Sequence, residues 1–131
     1  MIKDFTRDYA TAAFRMWASM GCPSYETAAE QLKKKENVQD VLRGKHSAEL
    51  YDILACEETF AVLDKNRKYI SNAVREVYMV DPTHEPKRGE VTARVLRYAL
   101  EVPASEVQVY RWLRSARELF CEFRGLRTGS E

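Results

Sequence analysis

The chain has 131 residues, 45% apolar and 31% charged, with 21 Lys or Arg against 20 Asp or Glu and a net charge of +1. That length supports about one domain with its own hydrophobic core, and the composition excludes a disordered chain. No window approaches the roughly 18 uninterrupted apolar residues of a membrane-spanning helix, and the start MIKDFTRDYA lacks the apolar run of a secretion signal.

Residues 4–20 place Phe5, Tyr9, Ala12, Ala13, Met16, Trp17 and Met20 at helical spacing, which predicts a first amphipathic helix. Gly21, with Pro23 just beyond it, is a stop signal. Ser24 then N-caps a second helix carrying Tyr25, Ala28, Ala29 and Leu32, which runs into the solvated charged stretch KKKEN. Val38, Val41 and Leu42 add a turn or two of helix before Gly44. A longer helix is expected from about Ser47, with Leu50, Ile53, Leu54, Phe60, Ala61 and Leu63 on or near its apolar side and a break at Asn66. Residues 68–80 resume the pattern with Tyr69, Ile70, Ala73, Val74, Val77 and Tyr78, until Asp81-Pro82 stops it. DPTHEPKRG is the clearest loop in the chain. The fold class read from this pattern is all-α: a helical body over 1–80, serving dimerisation or a protein partner, then a helix-turn-helix region over 81–131, the two forming one compact unit.

Two helices follow the loop. The first, over about 89–102, aligns Val91, Val95, Tyr98, Ala99 and Val102, and Pro103 ends it because proline has no N–H and its ring clashes with the preceding turn. Ser105 and Gln108 then form an S-x-x-Q capping box that starts a longer helix with Val109, Trp112, Leu113, Ala116, Leu119 or Phe120, and Phe123 inward, ended by Gly125. Val-Pro-Ala-Ser is thus a corner between a short and a long helix. Ala99 provides the small residue where they approach, and Val102 and Val109 provide the buried aliphatics. The outer side of the second helix offers Ser105, Glu106, Val107, Tyr110, Arg111 and Arg114 to a DNA major groove. Arginine there suits guanine O6 and N7, or phosphate. Lys87, Arg88, Thr92 and Arg117 are the expected phosphate contacts.

Charge is distributed in keeping with this. Residues 86–127 hold nine Lys or Arg against five Glu, a local +4, which leaves the remainder at −3. A basic end on an acidic body is the footprint of a DNA reader. The competing reading is a solvated amphipathic face, with Glu118 and Glu122 pairing with the arginines at helical spacing.

AVREVYMV, a loop, and then SEVQVYRWLRSARELFCEFRGL resemble the C-terminal part of the ArpU/RinA-type phage transcriptional regulators, themselves similar to the region-four helix-turn-helix of bacterial sigma factors. The resemblance is carried by Ser105, Val109, Tyr110, Arg111, Trp112 and Leu113, with Ala116 and the run Arg124-Gly125-Leu126. It implies sequence-specific promoter binding by the second helix, in the regulation of phage or prophage late genes. Double-stranded DNA is then the partner, with RNA polymerase and a second copy of the chain as further candidates. One position departs from the pattern. The turn residue commonly glycine is Pro103, whose ring opposes a positive φ, so a longer or differently shaped turn is expected.

Enzymatic chemistry finds no foothold. His46 and His84 stand apart from any nucleophile, there is no glycine-rich nucleotide motif, and no cofactor is implied. Cys22, Cys56 and Cys121 lack C-x-x-C spacing, which predicts unpaired thiols in a reducing, cytoplasmic setting and no zinc site. Phe14 and Trp17, three residues apart on the first helix, are candidates for a partner-binding surface if they are not buried. The alternative to a regulator is a non-enzymatic helical interaction or assembly module, such as a phage packaging or structural component, whose last helices bind protein.

Overall fold

The computed structural model describes residues 5–35 and 47–126, and these form six α-helices with no strand among them. In chain order they are α1 (Phe5–Ser19), α2 (Tyr25–Lys35), α3 (Ser47–Asn66), α4 (Lys68–Tyr78), α5 (Arg88–Glu101) and α6 (Glu106–Arg124). The short apolar cluster of Val38, Val41 and Leu42 lies outside the described residues, as does His46.

Local chemistry sets the helix ends. Past α1, Gly21 takes φ 85°, its N–H donates to the Ala18 carbonyl (3.0 Å), and the Cys22 N–H donates to the Trp17 carbonyl (2.9 Å). This is a Schellman closure, which requires a left-handed residue just past the helix. Ser24 caps α2 as expected, accepting the Thr27 N–H at 3.1 Å. A second acceptor comes from far along the chain: the Glu57 carboxylate takes the Tyr25 N–H at 2.6 Å and ties the start of α2 to α3.

Between α3 and α4 only Arg67 is non-helical, at φ −144° and ψ 59°. Asp64 secures the bend, accepting from Lys68 Nζ (3.2 Å), Ser71 Oγ (2.5 Å) and Arg75 Nη2 (3.1 Å). Burial alone would raise this carboxyl. Hydrogen bonds from Ser71 and Lys68, with the charges of Arg75 and Lys68, outweigh it and hold the group below its ordinary range.

One contiguous core takes residues from every helix, from Ala10 on α1 to Cys121 on α6. Its centre is aromatic. Trp17 stacks on Phe60 (centroids 5.1 Å), Phe60 meets the edge of Phe14 (5.7 Å), and Phe14 meets Phe120 (5.4 Å). Phe14 and Trp17 are therefore interior, at 0% and 5% exposure, and cannot form a partner surface. The Trp17 indole N–H is satisfied by the Pro23 carbonyl at 2.8 Å. Trp112 departs from expectation in the other direction. It is half-buried on the flank, with its ring 4.9 Å from that of Tyr69, while Val109, Leu113, Ala116, Phe120 and Cys121 fill the inward face of α6.

A charged cluster closes one end of the bundle. Arg124 Nε lies 2.7 Å from Asp52 Oδ1, the same oxygen accepts the Tyr9 hydroxyl at 2.8 Å, and the guanidinium sits 5.5 Å from the Tyr51 ring centroid. With side chains only 19% and 15% exposed, Arg124 and Asp52 join α6 to α3, and Tyr9 brings in α1. Removing one partner of a fully buried pair costs about 3–5 kcal/mol, so Asp52→Asn in this partly exposed one should cost about 2 kcal/mol. Tyr9→Phe removes a half-buried hydroxyl that donates to the Asp52 carboxylate and accepts weakly from Arg124 Nη2 (3.4 Å), and should cost about 1 kcal/mol. Denaturant midpoints of both variants check the order. Equal or inverted losses would mean that Asp52 does not organise the cluster.

Candidate nucleic-acid interface

Helices α4, α5 and α6 pack pairwise and form a three-helix unit. Its cross-links all run to α4. The Tyr98 hydroxyl of α5 donates to the Tyr69 carbonyl (3.1 Å), Arg94 Nη1 donates to the Val77 carbonyl (2.9 Å), and Arg117 Nη1 of α6 donates to the Tyr78 hydroxyl (2.9 Å). Arg94 thus satisfies one of the carbonyls that the end of α4 leaves without a helical partner. Burial pushes the Tyr78 hydroxyl above its ordinary pKa, opposed by the charge and hydrogen bond of Arg117. The second half of α6 also packs across α1 and α3, through Phe120 against Phe14 and Arg124 on Asp52.

The corner between α5 and α6 is short but bonded differently from a glycine turn, the second of the two outcomes expected of Pro103. The Val102 N–H donates to the Tyr98 carbonyl (3.1 Å) and the Ala104 N–H to the Ala99 carbonyl (3.0 Å). This is the longer Schellman bond, closed around Pro103 in the place where α1 and α6 use Gly21 and Gly125. Having no N–H, Pro103 cannot make the second closing bond that Gly21 and Gly125 make. The small and aliphatic residues around the corner stand where the sequence placed them: Ala99 and Val109 are buried and Val102 is partly so.

The start of α6 is fixed by the full capping box, with Gln108 N–H donating to Ser105 Oγ and Ser105 N–H donating to Gln108 Oε1, both at 3.1 Å. Beyond it, Glu106, Val107, Tyr110, Arg111 and Arg114 are all exposed. Val107, Arg111 and Arg114 follow one another at i, i+4 and i+7, a single stripe along about two helical turns. Ser105 is exposed as well, and its hydroxyl proton is not used by the cap. At the start of α5, Lys87 and Arg88 are exposed, while the Thr92 hydroxyl donates back to the Arg88 carbonyl at 3.1 Å.

Not every basic residue of this region is available to a ligand. Arg94 is turned inward with its side chain 12% exposed, Arg124 is held in the Asp52 cluster, and Arg117 is half-buried against Tyr78. Arg114 is exposed but paired with Glu118, Nε to Oε1 at 3.0 Å. The loop before α5 carries one further pair, His84 Nε2 to Glu90 Oε2 at 3.1 Å. The hydrogen bond from His84 holds the Glu90 carboxyl below its ordinary range. None of Cys22, Cys56 and Cys121 is in a disulfide. Cys56 and Cys121 are buried, and burial pushes the thiols of Cys22 and Cys56 up, away from the reactive thiolate. Among the described residues no group of three or more His, Cys, Asp or Glu is placed to hold a metal ion, and no helix is long and apolar enough to cross a membrane. No protein-family model, curated protein or solved structure matches the chain.

Proposed function

We propose that the chain is a phage- or prophage-type transcriptional regulator that binds promoter DNA sequence-specifically, with α6 as its recognition helix. The observation that carries this reading is the division of α6 into two faces. Val109, Leu113, Ala116 and Phe120 are fully buried, while Glu106, Val107, Tyr110, Arg111 and Arg114 stand together in solvent directly after a tight corner. A helix held on one face and presented on the other suits insertion into a major groove, where the first turns of the helix meet base edges. Lys87 and Arg88 at the start of α5, with Thr92, are the proposed phosphate contacts; Arg117, expected among them, is instead held against the Tyr78 hydroxyl. RNA polymerase and a second copy of the chain are proposed partners beyond the DNA itself. The resemblance to ArpU/RinA-type and sigma region-four sequences supports the same reading.

A second reading, a helical interaction or assembly module, draws on the apolar side chains left in solvent near the corner. Leu100 is 83% exposed and Leu96 42%. The two readings separate on salt, because DNA affinity falls steeply as counterions compete whereas an apolar protein interface is nearly indifferent. Fluorescence anisotropy with a pool of random duplexes at two salt concentrations is the test. Binding should weaken at the higher salt and be lost in the folded Arg111→Ala/Arg114→Ala double variant. Absence of wild-type binding at low salt, together with no sequence enriched on selection from the pool, would overturn the regulator reading and favour a protein partner.

A further inference from the structure

Three arginines stand on α6 between Glu106 and Phe120, and each is in a different situation. Arg117 donates to the Tyr78 hydroxyl at 2.9 Å, so its guanidinium is drawn toward α4. Arg114 is bound to Glu118 through Nε at 3.0 Å, with both side chains at the surface. Arg111 is exposed and has no ion pair or hydrogen bond among the described residues. A guanidinium with its whole fork available can make the bidentate contact to guanine O6 and N7. One whose Nε edge already faces a carboxylate has fewer donors left.

One turn before Arg111 on the same stripe is Val107, 59% exposed at the second position of α6. Burying it contributes nothing to the core, and a β-branched residue so near a helix start has no propensity advantage. In a major groove the one apolar group available to it is the thymine C5 methyl.

We infer that Arg111 reads a guanine, that Val107 packs on the methyl of a thymine in a nearby base pair, and that Glu118 holds Arg114 out of the base-reading set as a phosphate contact. This rests on the DNA reading above and goes beyond it by dividing the exposed face into base readers and a backbone contact. Glu118 then acts as a positioning residue, directing the guanidinium of Arg114 along the helix.

The test starts from the duplex that the full chain selects out of a randomised pool. In that duplex each guanine in turn is replaced by 7-deazaguanine, which lacks N7, and each thymine by deoxyuridine, which lacks the methyl. Wild type should lose roughly tenfold in affinity at one guanine, and this loss should vanish in Arg111→Ala. Deoxyuridine at a nearby thymine should weaken wild type a few-fold and leave Val107→Ala unaffected. Arg114→Ala should lower affinity by the same factor on selected and scrambled duplexes. All three side chains are exposed, so unchanged melting temperatures check that the variants fold. Selection of a sequence with neither dependence, or dependences that persist in the variants, would overturn this assignment and leave the DNA reading standing. If no sequence is enriched, both fall.

Discussion

Phe14 lies between Phe60 and Phe120, edge-on to both at 5.7 and 5.4 Å and wholly removed from solvent. The rest of the molecule depends on that three-ring contact, because it fixes α6 against α1 and α3 at a point well past the corner. The first half of α6 is held separately by Val109 and Leu113 in the core, and Arg117, just past the middle, reaches Tyr78 on α4. The Asp52–Arg124–Tyr9 cluster then anchors the last turn. A helix fixed at three points along its length presents its outer face in one orientation. A rigid face also loses little conformational freedom on binding, which favours affinity without additional contacts.

The same packing decides what charge is left for function. Arg94 and Arg124 are committed to the fold, satisfying the end of α4 and the Asp52 carboxylate. Lys87, Arg88, Arg97, Arg111 and Arg114 remain at the surface of this region. With so few cations, and a net charge of only +1 for the whole chain, counterion release alone would bind DNA weakly. Under the regulator reading, most of the affinity must then come from fit to a particular sequence, which places the weight on Val107 and Arg111 of the α6 stripe.

What could be read from the sequence was local. The Ser105–Gln108 capping box, the glycine stops at Gly21 and Gly125, the break at Asn66 and the corner at Val102–Ser105 all follow from interactions within five residues, and all stand in the structure. What escaped depends on distant partners. Nothing near Phe14 or Trp17 in the chain shows that Phe60 covers them, and nothing near Arg124 points to Asp52. Helix α3 illustrates the same limit. It packs against α1, α2, α4 and α6, so its buried set of Ile53, Ala55, Cys56, Thr59, Phe60 and Leu63 is wider than one stripe, while Ala61 lies outside it. The exposed face of α6 was legible over 106–114, although Trp112 and Phe123, both expected inward, are half-buried and exposed respectively. Which of its arginines are tied was not, since spacing alone cannot distinguish an arginine facing solvent from one reaching Tyr78.

The most direct test of the central proposal is a heteronuclear NMR titration of the full chain with duplex DNA at low salt, following every backbone amide. If α6 is the recognition helix, the perturbed amides will cluster at 105–114 and at the start of α5 around 87–92, and the buried face around Phe14 and Phe60 will stay unshifted. Perturbations confined to α1–α3, or none at all at saturating DNA, would contradict it.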